Sequence, residues 1–407
     1  MKGYGKAAAA ALLLAPAAGW AQPAAEVLGL SWAEIEERAR GQTVNWYMWG
    51  GSDRINAYVS GYLGELARER HGIVLRRIGI NDTAEAVNAV LQELEAGVAE
   101  DGSVDLIWIN GENFRTLRQA DAVFCGYLEQ LPHNRLVDWS DEAVSYDFGT
   151  PVDGCETPWN RVQFAFAYDG ARLAEPPRTM AALLEWIEAN PGRFTYPAPP
   201  DFTGSVFVRH VFYHAAGGPE ALLGPFRQEV YDEVAPKAWE ILNRLKPSLW
   251  RQGRTYPRDG TALGQLFANQ EVDFHFSYDA ATFGTGVEAG TYPAGTRSYG
   301  LADGTIGNTN YLAIPANSPR KAAALVVANL ALGAEAQLHK AMPDIWGASP
   351  AIDVGRLPPA QQEAFAALPR HPAVAPAAEL ARAALPELRA EWVVAIEAGW
   401  QEHVGKR

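Results

Sequence analysis

Cysteine is nearly missing from this chain: two in 407 residues, too few for a disulfide-framework miniprotein or a four-cysteine zinc site. No apolar run reaches the ~18–20 residues that a membrane-spanning helix needs, which excludes an integral helical membrane protein. Basic residues are outnumbered, 34 Lys and Arg against 48 Asp and Glu, for a formal net charge of −14. Nucleic-acid binding needs a concentrated basic face, so that class is excluded as well. Charged residues make up 20% and hydrophobic ones 48%, the balance of a chain that folds rather than one that stays disordered. The length predicts two or three domains with full cores.

The N-terminus predicts export. Lys2 and Lys6 form a basic start, Ala7–Ala18 is a short apolar stretch, and Gly19-Trp20-Ala21 places small residues three and one before a cut ahead of Gln22. This is the layout of a cleavable signal peptide over residues 1–21, and no cysteine stands at the cut to carry a lipid. The mature chain is expected to be soluble in the periplasm. In that oxidising compartment Cys125 and Cys155 are expected to pair, closing a loop of about 31 residues worth roughly 3–4 kcal/mol.

Strands are expected at Thr43–Met48, Ile73–Ile78 and Val104–Ile109, alternating with helices capped by Ser31, Ser52 and Asp82. Such βαβ units predict a parallel sheet with helices on both faces. After an irregular middle, a second α/β series runs from Phe194, with a helix near Ser205–Ala215 and strands at Val272–Tyr278 and Asn310–Ile314. The last ninety or so residues are Ala-, Leu- and Pro-rich, with helices expected near Pro319–Leu332, Pro359–Ala367 and Ala377–Gln401.

Ligands of open α/β sheets bind beyond the carboxyl ends of strands. There the sequence places Trp49-Gly50-Gly51-Ser52 and Asn110-Gly111-Glu112-Asn113. Further candidate loops are Gly307-Asn308-Thr309-Asn310, Thr203-Gly204-Ser205 and Ser277-Tyr278-Asp279. Gly, Ser and Asn also simply turn chains and cap helices, so both readings stand for these segments. Trp49, Trp159, Tyr278 and Trp346 could wall a pocket, although a lone Trp is more often core.

Catalytic signals are poor. Gly284-x-Gly286-x-x-Ala289 lies too deep in the chain for a nucleotide fingerprint. His210 and His214 have metal-ligand spacing but lack the Glu of His-Glu-x-x-His, and read as a helix-surface pair. No nucleophile elbow, phosphate-binding loop or calcium loop is present. No catalytic residue, metal ligand or cofactor is assigned.

Tyr168-Asp169-Gly170-Ala171-Arg172-Leu173-Ala174-Glu175-Pro176-Pro177-Arg178-Thr179 resembles a marker of the type II solute-binding proteins of bacterial ABC importers. Val104-Asp105-Leu106-Ile107-Trp108-Ile109 resembles that family's Asp-plus-apolar strand. Gly102–Phe114, Leu249-Trp250-Arg251-Gln252-Gly253, Gly307-Asn308-Thr309 and Trp346-Gly347 are similar to an exported, thiamine-type importer subfamily. The resemblance spans the mature chain.

It implies an α/β fold of two lobes joined by hinge crossings, with a small solute in the cleft. It also implies a monomer that delivers the solute to an inner-membrane permease driven by a cytoplasmic ATPase. The expected division is lobe I over 27–163, lobe II over 164–296, a return to lobe I over 297–345, and C-terminal helices over 346–407 packed mainly on lobe II. The outward crossing falls at Trp159-Asn160-Arg161 and the return near Arg297–Tyr299.

Two ligand chemistries remain open. Glu112 and Asp279, with Trp49, Tyr278 and Trp346, would cage a cation such as a thiamine-like molecule or a polyamine. Backbone N–H groups at Gly51, Gly111 and Gly204 would instead hold an anion or metal chelate. A secreted hydrolase and a ligand-free scaffold are the alternatives from other classes. Removing residues 1–21 takes Lys2 and Lys6 and no acid, moving the net charge from −14 to −16.

Overall fold

The computed structural model describes residues 23–376, 379–380 and 384–406. The expected signal peptide, residues 1–21, lies outside them.

Two hydrophobic cores organise the chain. The first surrounds a sheet that begins with β1 (Thr43–Trp49), β2 (Val74–Ile80) and β3 (Leu106–Ile109), which run parallel in the order β3-β1-β2. The helices before and between them start at capping residues: Ser31 with Glu34 and Asp82 with Glu85 form capping boxes, and Ser52 accepts from Ile55 N–H. The helical stripe Ile55, Tyr58, Val59, Leu63 and Leu66 is buried as its spacing predicts, across a π-helical stretch at Tyr58–Leu63.

A hairpin of β4 (Tyr146–Asp147) and β5 (Thr150–Pro151) leads into β6 (Glu156–Gln163), the outward crossing strand. The second core then builds on β7 (Ala165–Asp169), β8 (Phe274–Ser277) and β9 (Thr296–Tyr299). This small sheet has the order β8-β7-β9 and is antiparallel throughout. It departs from the parallel run of β1, β2 and β3 because β8 and β9 both lie antiparallel to the central β7.

The return strand is β10 (Thr305–Ala313), which pairs antiparallel with both β3 and β6. Thr296–Tyr299 belongs to the second sheet, so the chain re-enters the large sheet after residue 299 rather than at 297. Gly307–Asn310, read as a loop, forms the middle of β10. The helix Lys321–Leu332 is buried on every side and forms the spine of the first core. A short β11 (Ala384–Leu385) pairs with the start of β10.

The C-terminal segment divides between the cores. Trp346 and Ala348 pack in the first, Ile352 and Leu357 join a satellite cluster with Leu136 and Val137, and 388–404 complete the second. The expected helix Ala377–Gln401 is described as Ala390–Trp400, and residues 377–378 and 381–383 lie outside the description. Cys125 and Cys155 are bonded, tying the turn after Val123 to the start of β6.

Among the described residues no single helix is long and apolar enough to cross a membrane.

Candidate functional site

The two lobes meet across the ends of β1 and β3. Arg115 of the helix Glu112–Gln119 reaches Glu391 of the C-terminal helix at 3.0 Å, and Arg54 reaches Glu288 at 3.3 Å. The hairpin tip crosses the gap: Phe148, at φ 44°, is buried in the second core, and its carbonyl accepts from Ala390 N–H at 3.0 Å.

Arg209 sits at the centre of this junction, fully buried in the helix Phe202–Ala216. Its guanidinium donates to Ser205 Oγ at 2.7 Å and Tyr278 OH at 2.9 Å, and its Nε lies 3.0 Å from Glu387 Oε1. Tyr278 donates in turn to Glu387 at 2.7 Å, and Ser205 to Glu397 at 2.5 Å. The rings of Phe148 and Phe202 flank the guanidinium at 5.9 Å. Burial pulls the Arg209 pKa down, but Glu387, Tyr278 and Glu397 outweigh it, so Arg209 stays charged.

Carboxylates outnumber this one cation. Glu112 faces Arg209, Asp82 and Glu387, and no side chain among the described residues donates to its carboxylate; burial raises its pKa. Burial pushes Glu397 up to about 7 and Asp201 up to about 6, with Asp82 adding repulsion to both. Asp147, fully buried, is raised well above the carboxylate range by desolvation although it accepts twice from Gly111 N–H, at 2.8 and 2.7 Å. First-lobe acids (Asp82, Glu112, Asp147) and second-lobe acids (Asp201, Glu387, Glu397) thus converge.

The candidate residues divide into three groups. Glu112, Ser205, Tyr278, Asn110, Asn308 and Asn310 lie at the junction: Asn110 donates to Asn310 Oδ1 at 3.0 Å, and Asn308 to Glu387 at 3.4 Å. Asn160 stands beside them as the register partner of Asn310. Asn113 is half-buried on the first turn of the helix that Glu112 begins.

A second group makes a separate knot. Trp159 is completely buried against Trp46, Trp108 and Trp346, so it is a core residue and no cleft wall. Trp346 donates to Asp279 at 2.8 Å, and Asp279 also accepts from Ala281 N–H. Asp279, expected as a free cage carboxylate, is therefore spent.

The third group is structural in its visible bonds. Gly50 N–H donates to Ile80 O, Ser52 caps its helix, and Thr309 Oγ1 donates to Ala143 O on the face away from the asparagines. A side chain at Gly51 would collide with the Trp49 ring, and Trp49 itself is 39% exposed at the rim. Gly204 N–H is taken by Asp201 at 2.9 Å.

His210 is no surface residue. It is buried, its Nδ1 2.7 Å from Val206 O and its Nε2 accepting from Ile306 N–H at 3.1 Å, and burial lowers its pKa to about 4. His214 is exposed, so the two do not act together.

Arg209, Glu387, Glu397, Asp147, Asp201, Phe148 and Phe202 escaped the sequence reading. One signal was available: Arg209 interrupts ten consecutive helix positions that are all buried, and a buried charge demands a partner. The cavities measured elsewhere, about 480 Å³ beside Trp139 and Tyr146 and about 80 Å³ between Gly284 and His371, include no member of the Arg209 network.

Residues 65–370 match the model of the bacterial extracellular solute-binding protein family. Protein YnjB of Escherichia coli (strain K12) is 37% identical over 374 residues, covering 92% of this chain and 94% of that one. An ABC transporter substrate-binding protein from Bradyrhizobium japonicum USDA 110 superposes with a TM-score of 0.63 at 16% identity, over 89% of this chain and 99% of that one. The spermidine/putrescine ABC transporter substrate-binding protein PotD from Streptococcus pneumoniae does so with 0.60 at 12% identity, over 89% and 98%. Two α/β lobes, crossing strands and a junction lined from both sides are the type II periplasmic binding fold, and this chain belongs to the bacterial extracellular solute-binding proteins.

Proposed function

We propose that the chain captures a small organic cation between its lobes and delivers it to the permease of an ABC importer. The observation that carries this reading is the charge imbalance at the junction. Among the described residues six carboxyl groups converge there, and the buried cation beside them, Arg209, is already committed to Glu387, Ser205 and Tyr278. A ligand cation would offset the mutual repulsion of Asp82, Glu112, Asp201 and Glu397, while Phe202 and Tyr278, 4.9 Å apart, offer ring faces to it.

The anion reading is weaker for a specific reason: the N–H groups of Gly111 and Gly204 already donate to Asp147 and Asp201. The spermidine/putrescine binder among the structural neighbours fits a cationic solute. The first lobe would comprise the chain up to β6 together with the return through β10, and the second lobe the β7–β9 region completed by 388–404. Ligand contacts made only when both walls approach would shift the population toward the closed form.

A thermal-shift screen of the exported protein tests this, with thiamine, putrescine and spermidine set against citrate, phosphate and amino-acid carboxylates. Stabilisation by cations alone is expected. Stabilisation by anions alone would overturn the reading, and mass spectrometry of the copurifying small molecule gives an independent answer.

A further inference from the structure

Four asparagines meet on one face of the hinge strands. Asn160 of β6 and Asn310 of β10 are register partners, so their side chains point the same way, and Asn308, two residues along β10, shares that face. Asn110, at the end of β3, joins them through its bond to Asn310. The orientation of the Asn308 amide is fixed by chemistry: its neighbour Glu387 only accepts, so Nδ2 points at the carboxylate and Oδ1 points away.

Asn308 is 7% exposed and Asn160 2%, and among the described residues neither side-chain oxygen receives a hydrogen bond. Most polar atoms buried this deeply are paired, and an unpaired carbonyl oxygen is a standing cost. Both lie on the strands that cross between the lobes, the Asn308 amide beside the Glu387 carboxylate. The floor of the junction therefore holds two carbonyl oxygens that no donor among the described residues reaches.

Carboxylates and ring faces attract any cation, but amide oxygens need a proton to accept. A quaternary nitrogen turns only C–H groups outward, whereas an ammonium presents N–H bonds to Asn308 and Asn160 while its charge meets Glu112 and Glu397. We propose that the solute is recognised through N–H bonds donated to the hinge asparagines, so that it is a primary or secondary amine and not a quaternary ammonium or thiazolium. This rests on the cationic reading of the junction. Selectivity then resides in the hinge floor, and the acidic walls supply attraction without discrimination.

The test compares each amine with its permethylated form by isothermal titration calorimetry on the full mature chain: putrescine and spermidine against their fully quaternised counterparts, with an N-methylthiazolium salt, which carries no N–H or O–H donor, as the thiazolium probe. The amines are expected to bind at least tenfold more tightly than the quaternary partners. Asn308→Leu is expected to weaken amine binding by a similar factor and leave the residual quaternary affinity unchanged, with a wild-type-like melting profile as the folding control. Should that variant not fold, the wild-type comparison decides alone. Quaternary cations binding as well as the amines would overturn the inference while keeping the cationic reading. Failure of every cation to bind would overturn both.

Discussion

Arg209 and Lys340 are both buried cations within reach of the hinge, and the protein holds them in opposite ways. Arg209 is ringed by carboxylates and hydroxyls, and their attraction outweighs desolvation. Lys340 has Asp279 as its opposite charge, donates to the Trp159 carbonyl, and lies over the Trp159 and Trp346 rings at 5.3 and 5.5 Å. Desolvation dominates there and lowers its pKa well below the usual lysine value. The guanidinium acts as a permanent charge in a multidentate socket; the amine behaves as a packed donor. One region is organised around charge and the other around packing.

Substitution should separate the two. Arg209→Met leaves Glu387, Glu397 and Tyr278 buried without their cation, and the expected loss is about 3–5 kcal/mol of stability in chemical denaturation. A drop of less than about 1 kcal/mol would mean that the network is not organised by charge. Trp346→Phe removes the indole donor from Asp279 and should cost about 1–3 kcal/mol, read in the same way.

The junction should also respond to pH. Glu397 has a folded pKa of about 7 against an ordinary 4.5, so the folded chain binds the proton more tightly. That contribution is fully present below about pH 4.5 and is lost as pH rises through 7. Stability of the ligand-free chain should fall by roughly 1–3 kcal/mol across this window, and Glu397→Gln should flatten the profile. Binding of a cation should show the reverse trend, strengthening as Glu397 deprotonates. A flat wild-type profile would remove Glu397 from the account.

The smallest effect is expected for Lys340→Met, within about 1 kcal/mol of wild type, because burial already disfavours the ammonium and Asp279 keeps its bonds from Trp346 and Ala281. Gln337 still donates to the Trp159 carbonyl at 3.2 Å. A loss as large as that of Arg209→Met would erase the distinction drawn between the two cations.

Local signals in the sequence carried the first lobe. Capping residues, the 3.6-residue apolar stripe and the strand–helix alternation each depend on neighbours in the chain, and β1, β2 and β3 lie where those signals place them, within two residues at their ends. The asparagines of the junction were visible as polar tips, although Asn308 and Asn310 proved to be strand residues rather than loop residues. Trp159 and Asp279 were misplaced because their partners, Lys340 and Trp346, come from a segment more than sixty residues further on. Glu387 and Glu397 were invisible for the same reason: in so acidic a chain a carboxylate is uninformative until its distant neighbours are known. Arg209 carried a local signal, a charge within an apolar helix, but its partners Glu387 and Tyr278 lie far along the chain.

The assembly of the second core out of sequence order has a consequence for biosynthesis. Its sheet is finished by Tyr299, yet Leu388, Trp392, Ile396, Trp400 and Val404 are needed to cover the helices around it. Contacts so distant along the chain form late, so this lobe stays incomplete until residues 388–404 have left the ribosome. A nascent chain held in that state remains threadable, and a truncation before Leu388 would leave a sticky, protease-sensitive half-protein beside a first lobe that has its own spine.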